Sequence, residues 1–202
     1  LAIHESQSRL WENLIGRSRA FWEGAYPRLQ AAFPGVLDDV ALDGFVAAIN
    51  DVRPSLIRVE ADEVTYHLHV MLRFELERAL VEGTLDVDDL PGAWAEKSRE
   101  LLGIEPPDDR DGCLQDVHWS WGMFGYFPTY SLGTLASVQL WEAMARDLGD
   151  LEELVRGGRF APILDWLVEH VHRHGSRFSP QELLERATGA PLSAEPYLRY
   201  VR

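Results

Sequence analysis

The chain has 202 residues, of which 46% are apolar and seven are Trp, a composition typical of a globular protein and unlike that of a disordered one. Its net charge of −14 opposes contact with phosphate backbones and anionic lipids, so we expect neither nucleic acid nor a membrane as a partner. The single cysteine, Cys113, cannot form an intrachain disulfide, which fits a reducing, cytoplasmic location.

Helical periodicity dominates the first part of the chain. Apolar residues at helical spacing predict one long amphipathic helix over residues 3–22. A Pro and Gly cluster, Tyr26-Pro27 followed by Phe33-Pro34-Gly35, is predicted to end it. A shorter helix is predicted over residues 43–50. Residues 60–81 are apolar on most faces and have acidic residues in the first turn, which predicts a largely buried central helix closed by Gly83.

The second part of the chain alternates between helical and irregular patterns. Asp86 is the predicted N-cap of a helix that ends before Gly103. Residues 105–112 form an acidic, proline-bearing loop, and the Gly-, Pro- and aromatic-rich segment after it is the least helical part. Helical periodicity returns over four ranges, and Ser179 is the predicted N-cap of the third: 131–148, 160–174, 179–188 and 193–201.

No strand pair, internal repeat or low-complexity tract is recognisable, so the predicted fold class is all-α. The loop at residues 107–112 is too short to separate two independent domains, and we expect one helical domain over residues 1–202. Because the chain opens without Met and directly in a helical pattern, we expect it to be an internal piece of a longer protein.

The first helix carries a long and specific motif, IHESQSRLWENLIGRSRAFWE. On its residues alone, His4-Glu5-Ser6 would be a charged helix start. The whole string, however, resembles the carboxypeptidase Taq family of zinc peptidases, in which HESQSR follows an HExxH helix. The resemblance implies that Glu5 is the third zinc ligand, beside two His from HExxH, and that His4 is a neighbour of the metal site.

The chain itself contains no HExxH pattern. His170 and His174 lie four residues apart, but they are interpreted as polar side chains near a helix C-terminus. The resemblance therefore implies an incomplete zinc site, with cobalt as a possible substitute, and a missing N-terminal segment of the same enzyme that supplies the two His. The chain alone is expected to be inactive.

A second motif, IRVEADEVTY at residues 57–66, resembles the family's RxEADExTY element. A carboxypeptidase must recognise a free α-carboxylate, and a guanidinium can donate two parallel N–H bonds to one. Arg58 is therefore the candidate substrate contact. The alternative is that Arg58 pairs with Glu60 or Asp62 at a helix start.

A third motif, GCLQDVHWS at residues 112–120, is similar to the family's GxxQDxHW and is followed by GYFPTYSLG. His118 and Tyr130 are the candidate catalytic residues, as donors to the oxyanion that forms when water attacks a peptide carbonyl. Gln115 and Asp116 are assigned to substrate binding, where either could also orient His118. Without the resemblance, the segment would be interpreted as aromatic residues packed in the core, with a histidine whose hydrogen bonds are made inside the protein.

The resemblance extends from His4 to the C-terminal LRYVR and keeps the three motifs in the family's order. It implies an all-α helical lobe of a two-lobed, groove-containing, zincin-like metallopeptidase that removes C-terminal amino acids from peptides. Glu5, Arg58, His118 and Tyr130 would contribute to its site. The implied partners are a peptide with a free C-terminus, the missing N-terminal segment and a second copy in a homodimer. The competing hypothesis is a non-catalytic helical domain that binds a peptide or a protein.

Overall fold

The computed structural model describes residues 1–202 and confirms the all-α prediction, since it contains helices, turns and loops without any strand. No helix combines the length and the apolar character needed to cross a membrane. The α-helices are α1 (Ala2–Arg9), α2 (Arg19–Ala32), α3 (Leu42–Ile49), α4 (Tyr66–Glu82), α5 (Leu90–Leu102), α6 (Pro128–Leu148), α7 (Leu151–Arg156), α8 (Ala161–His170), α9 (Pro180–Thr188) and α10 (Glu195–Tyr200).

The chain groups into two compact units. The terminal unit consists of Leu1–Asn50 together with Leu132–Arg202, and the middle unit is Asp51–Ser131. The single helical domain over residues 1–202 stays a prediction.

The terminal unit has one continuous apolar core. Leu10, Leu140, Met144, Ile163 and Leu167 are completely buried in it. Each side chain of this size contributes about 1.5–3 kcal/mol when it is removed from water. The packing of α6 and α8 and of the segment that follows α1 therefore stabilises this unit.

The first predicted helix is wrong as a single element. In the structure α1 ends at Arg9, a π-helical stretch spans Leu10–Gly16, and the chain then breaks before α2. The break occurs because Ser18 caps α2: its Oγ accepts a 3.1 Å hydrogen bond from Phe21 N. The indole Nε1 of Trp22 also donates to Gly16 O over 2.8 Å and secures the turn.

Pro27 lies inside α2 and does not end it, contrary to the prediction, whereas Phe33-Pro34-Gly35, the other part of the predicted cluster, directly follows the last residue of α2. A proline in a helix removes one backbone hydrogen bond. Packing next to it offsets this loss, since Tyr26 is buried, its hydroxyl donates to Val40 O over 2.8 Å and its ring lies 4.8 Å from that of Phe45. The following helix, α3, matches its prediction within one residue.

The central helix α4 begins at Tyr66, later than predicted, and it ends at Gly83 as expected. Asp62 accounts for the late start, because its Oδ1 accepts hydrogen bonds of 2.8 Å from the backbone N–H groups of Val64 and Thr65 and holds a turn there. Gly83 adopts the left-handed conformation, with φ = 70°, that favours glycine after a helix.

The later helices follow their predictions with local differences. Asp86 makes no side-chain cap, since a 3₁₀ turn at Val87–Asp89 leads into α5 instead. The helix expected over residues 160–174 ends at His170 and is followed by a 3₁₀ turn. Helix α7 was not predicted, and Asp150 caps it by accepting from Glu153 N over 3.0 Å. The Ser179 cap is confirmed as a full capping box with Glu182.

Candidate functional site

Helix α4 carries three polar residues on its buried side, His69, Arg73 and Glu77. The four-residue spacing places them on one face of the helix. Arg73 is fully buried, and its guanidinium carbon lies 4.6 Å from the ring centre of Trp94 and 5.5 Å from that of Phe127. Polar groups in such apolar surroundings must be paired inside the protein.

Asp116 pairs with two buried arginines at once. Its Oδ1 accepts from Arg58 Nε at 3.0 Å and Nη2 at 2.5 Å, and its Oδ2 accepts from Arg73 Nε at 2.6 Å. Burial by itself would raise the pKa of Asp116, but the hydrogen bonds and charges of Arg58 and Arg73 outweigh it and hold the pKa below its usual range. Asp116 is therefore an anion held between two cations.

This geometry contradicts the alternative that Arg58 pairs with Glu60 or Asp62. The acidic partner of Arg58 lies 58 residues further along the chain. Asp62 instead accepts hydrogen bonds from the backbone of Val64, Thr65 and Arg53.

Aromatic residues and Gln115 fix the position of Arg58. Its Nη1 donates to the Tyr66 hydroxyl, and its guanidinium carbon lies 5.6 Å from the ring centre of Phe127 and 5.1 Å from that of Tyr130. Gln115 Oε1 accepts from the backbone N–H of Arg58 over 2.9 Å. The Gln115 amide also donates to two carbonyl oxygens, of Leu56 and Asp111. Gln115 therefore holds the Arg58 segment in place.

His118 and Tyr130, assigned separately as catalytic, lie next to each other. His118 Nε2 is 3.0 Å from the Tyr130 hydroxyl, and the imidazole packs 4.3 Å from the Phe127 ring centre. Nδ1 of His118 lies 3.8 Å from Asp116 Oδ1, which is too long for a hydrogen bond but close enough for an electrostatic contact. Four assigned residues, Arg58, Asp116, His118 and Tyr130, thus form one cluster in the middle unit.

Arg73, His69 and Glu77 were not recognised from the sequence. Glu77 accepts from Trp119 Nε1 over 2.8 Å and from Gly125 N, and it thereby fixes the irregular aromatic segment. Burial, followed by the charges of Arg73 and Arg58, lowers the pKa of His69 to about 4, so His69 is neutral at neutral pH. The available signal was the spacing of these three polar residues, which occupy every fourth position along one face of α4.

Glu5 lies in the terminal unit, on α1. Ser8 Oγ lies 3.4 Å from Glu5 Oε2 and donates to the Glu5 carbonyl over 2.9 Å. No group of three or more His, Cys, Asp or Glu in the chain is placed to hold a metal ion. A carboxylate suits zinc, but one donor does not fit a complete site, which needs three protein ligands.

His170 and His174 do not form a metal-binding pair. His170 stacks on Trp166, with 4.2 Å between the ring centres, and its Nδ1 is 2.9 Å from Trp166 O. His174 lies beyond the end of α8, where its ring contacts that of Phe178. The two side chains therefore do not share a helix face.

Two solved structures share this fold. The crystal structure of BsuCP matches with a TM-score of 0.96 at 46% identity and covers 99% of this chain and 40% of its own. The M32 carboxypeptidase from Deinococcus radiodurans R1 matches with a TM-score of 0.94 at 48% identity, over 100% of this chain and 41% of its own. The fold is that of an all-helical metallopeptidase.

Sequence comparison gives the family. The sequence model of the carboxypeptidase Taq (M32) metallopeptidases matches residues 1–202, and the chain belongs to this family. Thermostable carboxypeptidase 1 of Thermus thermophilus is 54% identical over 201 residues, and carboxypeptidase 1 of Bacillus subtilis is 46% identical. The chain is covered completely in both alignments but spans only 39% and 40% of the relatives' own lengths.

Proposed function

We propose that this chain is part of a zinc-dependent metallocarboxypeptidase that releases C-terminal amino acids from peptides, and that it is inactive by itself. The observation that carries the proposal is the buried guanidinium of Arg58. It is held in one position beside Asp116, and two of its five N–H groups are not used by Asp116 or Tyr66. Membership of the carboxypeptidase Taq family and the names of the relatives support it.

The donors of Arg58 suit a carboxylate ligand. A guanidinium has five N–H groups. Asp116 accepts from Nε and Nη2, and Tyr66 accepts from Nη1. One N–H therefore remains on each terminal nitrogen, and such a pair can bind both oxygens of a peptide's C-terminal carboxylate.

His118 and Tyr130 are the proposed catalytic pair. When the proton is on Nε2, His118 donates to the Tyr130 oxygen, and the hydroxyl can turn its own hydrogen towards an oxyanion. Asp116 Oδ1, 3.8 Å from His118 Nδ1, places a negative charge beside the imidazole. Gln115 and Asp116 would then support substrate binding through Arg58.

Glu5 is the proposed metal ligand of this chain. Two His of an HExxH pattern would complete the site from sequence outside these 202 residues, and zinc, or cobalt in its place, would act there as a Lewis acid. We further propose a cytoplasmic location and a homodimer, both of which follow from the family resemblance and, for the location, from the single cysteine.

The proposal is tested with the complete gene product that contains these residues. The sequence upstream of Leu1 should encode HExxH, and the zinc-loaded protein should release the last residue of a peptide with a free C-terminus but not of its amidated form. Equal cleavage of both forms would contradict the role of Arg58. A gene product that lacks HExxH and binds peptides without cleaving them would establish the alternative, a non-catalytic peptide-binding domain.

A further inference from the structure

We propose that Arg73 is a positioning residue for carboxylate recognition: it neutralises Asp116, so that the charge of Arg58 remains available to the substrate. The inference rests on the proposed function. Arg73 touches Asp116 and not the substrate, and it acts through the Asp116–Arg58 pair.

The charge of the cluster supports this role. Asp116 is the only carboxylate in ion-pair contact with Arg58 or Arg73, so two cations meet one anion. His69 adds no charge, because it is neutral. Glu77 lies one turn beyond Arg73, where its oxygens accept from Trp119 and Gly125. Among the groups in ion-pair contact, one positive charge is therefore left over.

Burial makes this excess charge significant. The side chains of Arg58 and Arg73 are 5% and 0% exposed, so water contributes little to their solvation. A buried charge without a counterion is unfavourable, and an anionic ligand relieves the cost. Nη2 of Arg73 is buried without a hydrogen-bond partner, so the hydrogen bond to Asp116 leaves part of this guanidinium unpaired.

Arg73 is also anchored independently of Arg58. Its Nη1 donates to His69 O over 2.9 Å, within α4, and its guanidinium lies over the Trp94 ring. Arg73 thus holds Asp116 from one side while Arg58 binds it from the other. Without Arg73, Arg58 and Asp116 would form a neutral pair, and the Asp116 charge would repel a substrate carboxylate.

The experiment compares Arg73→Gln, Arg73→Lys and Arg58→Gln in the complete, metal-loaded gene product. The probes are a peptide substrate with a free C-terminus and two inhibitors, N-acetylalanine and its amide. We expect Arg73→Gln to raise KM and the Ki of N-acetylalanine by about tenfold or more, with the Ki of the amide unchanged. Arg73→Lys keeps the positive charge and should raise KM and the Ki of N-acetylalanine much less than Arg73→Gln does. Arg78→Gln, an exposed arginine on the same helix, is the control and should change nothing.

A double variant tests the charge even if Arg73→Gln folds poorly. Arg73→Gln with Asp116→Asn removes one cation and one anion and restores the net charge of +1. We expect it to bind N-acetylalanine more tightly than Arg58→Gln does, and equal or weaker binding would overturn the inference. The inference would also be overturned if Arg73→Gln and Arg73→Lys lowered kcat equally and left Ki unchanged. The role of Arg73 would then be purely structural.

The outcomes separate the two proposals. A wild-type protein that releases no amino acid and binds N-acetylalanine no better than its amide refutes the proposed function itself. A wild-type protein that prefers the carboxylate, and loses this preference in Arg58→Gln but not in Arg73→Gln, refutes only the role of Arg73.

Discussion

A methyl group added to Gly133 would lie 2.6 Å from the Cβ of Glu5, because the backbone of α6 passes directly against α1 at this point. The same methyl would lie 2.9 Å from the Glu5 carbonyl carbon and 3.0 Å from the backbone nitrogen of Ser6. Since the obstacles are the Glu5 Cβ and the backbone of Glu5 and Ser6, whose positions do not depend on the side-chain rotamer, no rotamer change can relieve the clash. Gly133 therefore determines where the proposed metal ligand lies.

Gly133→Ala should push α1 away from α6, destabilise the protein by about 1–3 kcal/mol and weaken metal retention. Chemical unfolding and metal analysis of the dialysed complete gene product would measure the two effects. Gly44→Ala on α3 is the matched control, because a Cβ there meets nothing within 4 Å. Retention of metal and stability in Gly133→Ala would show that the two helices separate easily.

Glu5→Ala should abolish metal retention, because zinc held by two remaining protein ligands exchanges readily with solution. Metal content after dialysis, with the folded state checked by circular dichroism, is the measurement. Glu12→Ala is the control and should retain the metal, because the Glu12 side chain is exposed and lies in the π-helical stretch after α1. Zinc bound as tightly by Glu5→Ala as by the wild type would exclude Glu5 as a ligand.

His69 should make the protein sensitive to mild acid. Its pKa is lowered from 6.5 to about 4, so below pH 6.5 the unfolded chain binds a proton that the folded chain does not. Stability should therefore fall as the pH decreases from 6.5 towards 4, by up to about 3 kcal/mol. Arg73 and Arg58 oppose the charged imidazole, whereas Asp116 and a backbone hydrogen bond with Ser55 favour it.

Urea unfolding at several pH values would measure this loss. His69→Gln should flatten the dependence between pH 6.5 and 4, while His172→Gln, which is exposed, should leave it unchanged. If the free energy of unfolding depended on pH in the same way in His69→Gln and the wild type, the acid sensitivity would arise from other groups.

Glu77→Gln should loosen the aromatic segment without unfolding α4. Trp119 Nε1 and Gly125 N donate to different oxygens of Glu77, so a glutamine would turn its NH2 group, which cannot accept, towards one of these two donors. We expect a loss of about 1–3 kcal/mol and faster amide hydrogen exchange at Gly125. Glu82→Gln, exposed on the same helix, is the control. Unchanged exchange at Gly125 would show that the segment is held by packing alone.

The sequence by itself determined the family and most helices of this protein. The HESQSR and GxxQDxHW motifs indicated the family, and local signals such as the Ser179 capping box and Gly83 placed helix ends correctly. These signals succeed because a helix closes its hydrogen bonds within four residues of sequence. Where packing offsets a local signal, as at Pro27 in α2, prediction from sequence failed.

Only the tertiary structure decided which buried charges meet. Arg58 has acidic residues two and four positions away, yet it pairs with Asp116, and Arg73 gave no sign of belonging to the same cluster. The reason is that a guanidinium removed from water needs a counterion, and the fold, not the neighbouring sequence, places that counterion within reach.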